Sequence, residues 1–345
     1  MVLDLARTFP EAAIHTSVYA PALTYPEFRD LDVRPTALDR VPYFRTHHRA
    51  AFPCYAPAFS ALRVDADVVV CSSSGWAHGV RTDGAKLVYC RGRALAHAAR
   101  ALPRAAARRP GRGRRRGTRR RRSRAARVGP PRRAIGDALP RELPGGRRRA
   151  VAEQYGIDAR VVHPAAPRIT AAPTPVAGIE PGFFLCVSRL LPYKNVDVVC
   201  EAFRRLPDQR LVVVGTGPML AELRASAPPN VHLLLHVEDA ELRWCYEQSR
   251  ALVAASHEDF GLTVLEAAGA GRPTVALRAG GYLETVLDGR TGVFFDAPDA
   301  AGIAHAVMDL DRRVWDPDTI RAHADEFSLD RFVAKMREQV AELAG

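Results

Sequence analysis

Two glutamates stand eight positions apart in the string His257-Glu258-Asp259-Phe260-Gly261-Leu262-Thr263-Val264-Leu265-Glu266-Ala267. The apolar run Ala251–Ala255 before it reads as a strand, and Leu262–Gly269 after the loop reads as a helix, with apolar positions spaced at three and four. Glu258 therefore falls in a loop at the carboxyl end of a strand, where doubly wound parallel sheets bind ligands. Glu266 falls two turns into the helix that follows. The amides of Phe260, Gly261 and Leu262 lie near the positive end of that helix, placed to hold sugar hydroxyls or phosphate oxygens. Taken singly, each glutamate also reads as a solvated loop or helix-face acid; the whole string favours a ligand site.

A second constellation surrounds Ser188-Arg189-Leu190-Leu191-Pro192-Tyr193-Lys194-Asn195. Arg189 and Lys194 follow the apolar run Phe183–Val187 and straddle a turn into a helix, so two cations can converge there on one pyrophosphate. Gly215 and Gly217 follow the next run, Arg210–Val214, and such glycines either let backbone approach a ligand or form a plain tight turn. Gly280 and Gly281 carry the same two readings, and His236 and Val237 end a further strand on the same rim.

The elements that must hold these residues are those of an α/β protein. From Gly182 onward, strands expected at Phe183–Val187, Arg210–Val214, Val231–Leu235, Ala251–Ala255, Thr274–Leu277 and Gly292–Phe295 alternate with helices. The helices are expected at Val196–Leu206, Met219–Ala225, Ala240–Ser249, Leu262–Gly269, Tyr282–Leu287, Ala301–Leu310 and Leu329–Leu343. The first ninety residues share this character, with strands at Ala13–Val18, Ala66–Cys71 and Lys86–Cys90 and a helical stretch around His47–Leu62. Val2–Arg7 reads as an amphipathic helix with no strand and glycine-rich turn before it, so an incomplete N-terminal domain is expected. The 345 residues thus divide into a partial domain at 1–90, an atypical segment at 91–150, a second domain at 151–325 and a closing helix at 326–345.

Charge is distributed unevenly. The net charge is +12, yet residues 91–150 hold twenty-two arginines, no lysine and only Asp137 and Glu142 as acids, leaving a net of −8 on the rest. Ala, Arg, Gly and Pro supply forty-nine of those sixty residues, with no Phe, Trp or Tyr. Such a tract is too poor in branched apolar residues to offset ordering entropy of about 1–2 kcal/mol per residue, so local disorder is expected. It reads best as a frameshifted stretch of a GC-rich gene, because those four residues have the most GC-rich codons. A natural insertion and a phosphate-binding arm are the other readings; the arm lacks aromatics for base stacking, so nucleic acid is an unfavoured partner. Cys54, Cys71, Cys90, Cys186, Cys200 and Cys245 form no C-x-x-C pair, which argues against a zinc site or disulfide framework and for a reducing, cytoplasmic setting. No run approaches the ~20 apolar residues of a membrane span.

The glutamate, seven residues, glutamate spacing resembles the hallmark of the retaining glycosyltransferases of family 4. Ser188–Asp197, Val213–Pro218, Ala270–Pro273 and Ala279–Gly281 are similar to other signatures of that family. The resemblance is dense over 151–345 and looser over 1–90. It implies a GT-B fold of two Rossmann-like doubly wound domains, the N-terminal one incomplete here, with no metal and no covalent cofactor. It further implies that Arg189 and Lys194 grip the donor diphosphate, Glu258 serves the transferred sugar, Glu266 holds the ribose and His236 and Val237 lie by the base. Ser72–Val80 and Lys86–Cys90 look most like bacterial polysaccharide and O-antigen mannosyltransferases. GDP-mannose is thus the leading donor, UDP-sugars follow, and a glycan or lipid-linked acceptor with peripheral contact at the inner membrane face is expected.

Relatives commonly place a histidine after a strand like Val88-Tyr89-Cys90; here Arg91 follows, and His78 reads as an ordinary loop residue. Together with the tract, this leads us to expect impaired turnover. Two other classes stay open: a GT-B sugar-nucleotide epimerase, and a non-catalytic nucleic-acid or membrane-surface binder acting through the arginines.

Overall fold

The computed structural model describes residues 2–73, 76–90 and 160–345. The arginine-rich tract lies outside the described residues, and so does the expectation of disorder there.

Six strands of the C-terminal half are short and almost wholly apolar: β5 (Phe184–Val187), β6 (Leu211–Val214), β7 (Val231–Leu234), β8 (Ala251–Ala254), β9 (Thr274–Leu277) and β10 (Gly292–Phe295). They form one sheet in the order β10-β9-β8-β5-β6-β7, every pair parallel. A parallel sheet is covered on both faces, which is why β6, β8 and β9 read as continuous apolar runs and are buried at every residue. The covering helices are α4 (Val196–Arg204), α5 (Leu220–Ser226), α6 (Asp239–Gln248), α7 (Leu262–Gly269), α8 (Tyr282–Thr285), α9 (Ala300–Asp311), α10 (Pro317–Asp325) and α11 (Leu329–Ala344). Chain order reverses between β5 and β8, so the loops after these two strands meet at the topological switch point. The sequence places Arg189 and Lys194 on one of these loops and Glu258 on the other.

The N-terminal half has the expected helix α1 (Val2–Thr8), the short α2 (Pro42–Thr46) and α3 (Phe52–Ala61). Its strands are β1 (Ile14–Thr16), β2 (Val33–Pro35), β3 (Val68–Ser73) and β4 (Ala85–Cys90). Among the described residues these make two separate parallel pairs, β1 with β2 and β3 with β4. Strand β2 was not expected from the sequence; its three residues end in a proline and carry no apolar alternation. Few described residues here are buried, chiefly Thr8, Ala51, Cys71 and Val80, whereas one continuous core runs through the C-terminal sheet.

The chain returns to the N-terminal half through α11. Phe332 meets the ring of Tyr89 edge-on at 5.8 Å, and Arg337 reaches the Thr8 carbonyl at 3.5 Å. The segment 160–170 also bridges the halves, since the Tyr89 hydroxyl donates to the Val162 carbonyl at 3.0 Å and the Ala166 amide to the Phe327 carbonyl at 2.8 Å. Cys54, Cys71, Cys186, Cys200 and Cys245 are all unpaired thiols. Burial pushes Cys186 and Cys245 up to about 12 and Cys71 and Cys200 up to about 11, so these four are poor nucleophiles. Among the described residues no helix is long and apolar enough to cross a membrane.

Candidate functional site

A cleft of about 560 Å³ opens at the switch point. Arg189 and Lys194 line one wall, and Glu258, Phe260, Gly261 and Leu262 line the other. At its centre the Lys194 Nζ donates to Glu258 Oε1. These side chains are only 11% and 25% exposed, so the pair is mostly out of water and its attraction is weakly screened. The Ser256 hydroxyl donates to the same carboxylate oxygen at 2.6 Å and lies 3.3 Å from the Tyr282 hydroxyl. Arg189 is exposed, with its guanidinium 3.2 Å from the Tyr193 hydroxyl.

Local chain geometry joins the two walls. A 3₁₀ turn at Pro192–Lys194 ends on Asn195, which is left-handed at φ 54° and opens α4. Asparagine tolerates that conformation better than most residues. Its amide donates to the Ala255 carbonyl at 2.8 Å, tying the β5 loop to the end of β8. Gly261, at φ 90°, starts α7, and a Cβ there would lie 2.6 Å from the Tyr282 ring.

The Glu258 loop is clamped from behind. The Gly281 amide donates to the Glu258 carbonyl at 2.8 Å. A Cβ on Gly280 would come within 2.3 Å of that carbonyl, and one on Gly281 within 2.2 Å of Phe260 Cα. The glycine pair is thus required by backbone-on-backbone packing. Gly215 and Gly217 resolve in the same direction: added Cβ atoms would meet the Ser188 carbonyl at 1.9 Å and the Leu190 carbonyl at 2.4 Å. Their close approach is to the β5 loop, and only Gly215 lines the cleft.

Glu266 does not join the residues lining this cleft. It lines a second cavity of about 480 Å³ between α6, α7, α10 and the segment 166–170. There the Tyr246 hydroxyl donates to Glu266 Oε2 at 2.5 Å. Burial raises the Glu266 carboxyl above its ordinary value, partly opposed by this hydrogen bond. Burial and the neighbouring Glu266 charge hold the Tyr246 phenol well above its usual range. His236 is exposed and Val237 packs against the core; Thr216 and Leu235, not these two, line the rim. Phe260 turns its side chain inward against His163 and Phe327, leaving its backbone at the cleft.

Ser256, Tyr246 and Tyr282 were not singled out in the sequence. Tyr246 and Tyr282 act through contacts across elements, which spacing along the chain does not encode, whereas Ser256 reaches Glu258 two residues away within the same loop. Asn195 was more accessible, since an asparagine between a turn and a helix is a common left-handed residue. Chemically, two cations and a helix-start loop beside a fixed carboxylate suit a ligand that is anionic at one end and hydroxylated at the other.

Comparison with known proteins agrees with this chemistry. Residues 176–312, a span that includes the residues lining the cleft, match the family described as Glycosyl transferases group 1. A GDP-mannose-dependent alpha-(1-6)-phosphatidylinositol monomannoside mannosyltransferase of Mycolicibacterium smegmatis is 36% identical over 146 residues, 36% of this chain and 37% of that protein. A glycogen synthase of Thermus thermophilus is 34% identical over 176 residues, 49% of this chain and 40% of that protein. The chain thus spans less than half the length of either relative. Among solved structures, the apo lipopolysaccharide outer core galactosyltransferase WaaB is similar, with a TM-score of 0.49 and 18% identity over 57% of this chain and 60% of that one.

Proposed function

We infer that this chain binds a nucleotide-sugar in the Glu258 cleft and belongs to an enzyme that transfers its glycosyl group to an acceptor hydroxyl with retention. The observation that carries the reading is the mostly buried Lys194–Glu258 pair at the switch point, inside the region that matches the glycosyltransferase family. In this reading the acceptor oxygen bonds to the anomeric carbon as the bond from that carbon to the diphosphate oxygen breaks. The acceptor proton leaves with the diphosphate, and Lys194 and Arg189 stabilise the charge that develops there. Lys194 then exchanges its carboxylate partner for phosphate oxygens, and Glu258 is released to accept hydrogen bonds from the sugar. The amides at Phe260–Leu262 supply further donors.

GDP-mannose is the favoured donor, supported by the mannosyltransferase relative, with UDP-sugars next; the base and hydroxyl contacts that choose between them are not encoded in the Lys194–Glu258 pair. The acceptor is a glycan or lipid-linked hydroxyl in surface polysaccharide synthesis, reached from the cytoplasm by peripheral membrane contact.

Titration calorimetry with GDP-mannose, UDP-glucose and the free nucleotides tests this directly. We expect one nucleotide-sugar to bind, and Glu258→Gln to weaken it more than the corresponding nucleotide, by about tenfold for a lost charged hydrogen bond. Binding of none of these by the intact chain would sink the reading. Product analysis separates transfer from epimerisation, since an epimerase releases free sugar and nucleotide without acceptor.

A further inference from the structure

We propose that His163 is a positioning residue that sets the conformation of the Glu258 loop. Its ring stacks on Phe260, two residues from Glu258, with centroids 5.5 Å apart and planes inclined by 24°. Its Nε2 lies 2.9 Å from Glu284 Oε2. Glu284 belongs to α8, which opens directly after Gly281, the residue whose amide holds the Glu258 carbonyl. One imidazole therefore touches both halves of the clamp: the loop that carries Glu258 and the helix that follows its backbone donor.

The position of His163 is itself fixed from outside the C-terminal sheet. The preceding residue, Val162, accepts from the Tyr89 hydroxyl of β4 at 3.0 Å, and Phe327 meets the His163 ring edge-on at 5.3 Å. The segment 160–170, which also contacts the N-terminal half through Tyr89, thus packs on the Glu258 loop. Displacement of Val162 shifts His163, and through Phe260 and Glu284 it shifts Glu258. The contact is half-buried and composed of side chains from three separate elements, which is how a loop lacking its own secondary structure acquires a fixed geometry.

The structural part of this proposal stands without a ligand; its consequence for sugar binding rests on the function proposed above. Hydrogen exchange on the full chain tests the first part. In His163→Ala we expect the amides of Asp259–Gly261 and Gly281 to exchange about tenfold faster than in the parent, while the strands Ala251–Ala254 and Thr274–Leu277 keep their protection. His163→Phe, which keeps the stack, and His163→Gln, which keeps the hydrogen bond to Glu284, should each restore part of the protection. Unchanged exchange in the loop, or equal acceleration through the whole sheet, overturns the proposal. Calorimetry reads the second part: His163→Ala should raise the dissociation constant of GDP-mannose about tenfold and leave that of GDP unchanged. Equal weakening of both overturns it. If the parent chain binds neither, the proposed function fails, and the exchange data still decide the role of His163.

Discussion

Lys194 and Glu258 are worth most to each other because neither is well solvated. Removing the lysine leaves a carboxylate that is 25% exposed and, among the described residues, hydrogen-bonded by the Ser256 hydroxyl alone. Lys194→Met should therefore destabilise the protein by about 1–3 kcal/mol, the cost of stranding a partly buried charge. Adding Glu258→Gln should recover part of that loss, since the amide has no charge to desolvate; urea denaturation of both variants reads the coupling, and strict additivity would argue against the pair. Glu266 supplies a pH dependence of definite sign. Burial raises its folded-state value above the ordinary 4.5, so the native state holds that proton more tightly than the unfolded chain. Its contribution to stability is complete below 4.5 and declines as pH rises from there through the raised value. Glu266→Gln, which can still accept from Tyr246, should flatten this decline and make the variant relatively more stable at neutral pH than in acid. A stability difference that is constant with pH would show that burial does not perturb the carboxyl.

At the scale of elements, Asn195 does two things at once. It takes the left-handed conformation that ends a 3₁₀ turn, and it ties the β5 loop to Ala255. Asn195→Ala should cost about 2 kcal/mol, roughly half from the lost hydrogen bond and half from the left-handed strain, whereas Asn195→Gly should cost about half as much. Denaturant midpoints of the two variants separate the parts, and equal losses would mean that strain plays no role. The six strands of the C-terminal sheet were legible because burial on both faces leaves an apolar run bounded by turn residues. Helix α10 was not. It presents only Ile320 and Ala324 to the core, too few for a period, although Asp316 caps it through the amides of Asp318 and Thr319 and Pro317 opens it. The β5 and β8 loops were legible as a site because the switch point follows from strand order. Glu266 was placed on the right helix but not at the right wall, since which cavity a helix face meets depends on the neighbours packed there. The left-handed and clamping glycines were legible as special positions but not by partner, as Gly215 and Gly280 face carbonyls that lie 27 and 22 residues away. 

For the molecule as a whole, binding and turnover make different demands. Among the described residues the cleft at the switch point is lined by C-terminal elements alone, over one continuous core, so on the proposed function we expect donor binding to persist without residues 91–150. Glycosyl transfer needs a second wall that closes on the donor and excludes water. By composition, a tract with twenty-two arginines and no aromatic residue is not expected to supply the packed core on which catalytic groups are held. The contacts of α11 and the 160–170 segment with α1 and β4 show that the N-terminal half is docked, but few of its described residues are buried. We therefore predict that this chain binds its donor and transfers sugar at less than about one hundredth of the rate of a chain whose residues 91–150 are replaced by the alternative reading frame, a misplaced wall being able to cost that factor. Transfer rates to a common acceptor, measured beside donor affinity, check this. Matched affinity with unmatched rate is the expected pattern. Comparable rates would mean that the arginine tract is a natural segment compatible with closure, and that GC-rich composition alone misled the reading of the sequence.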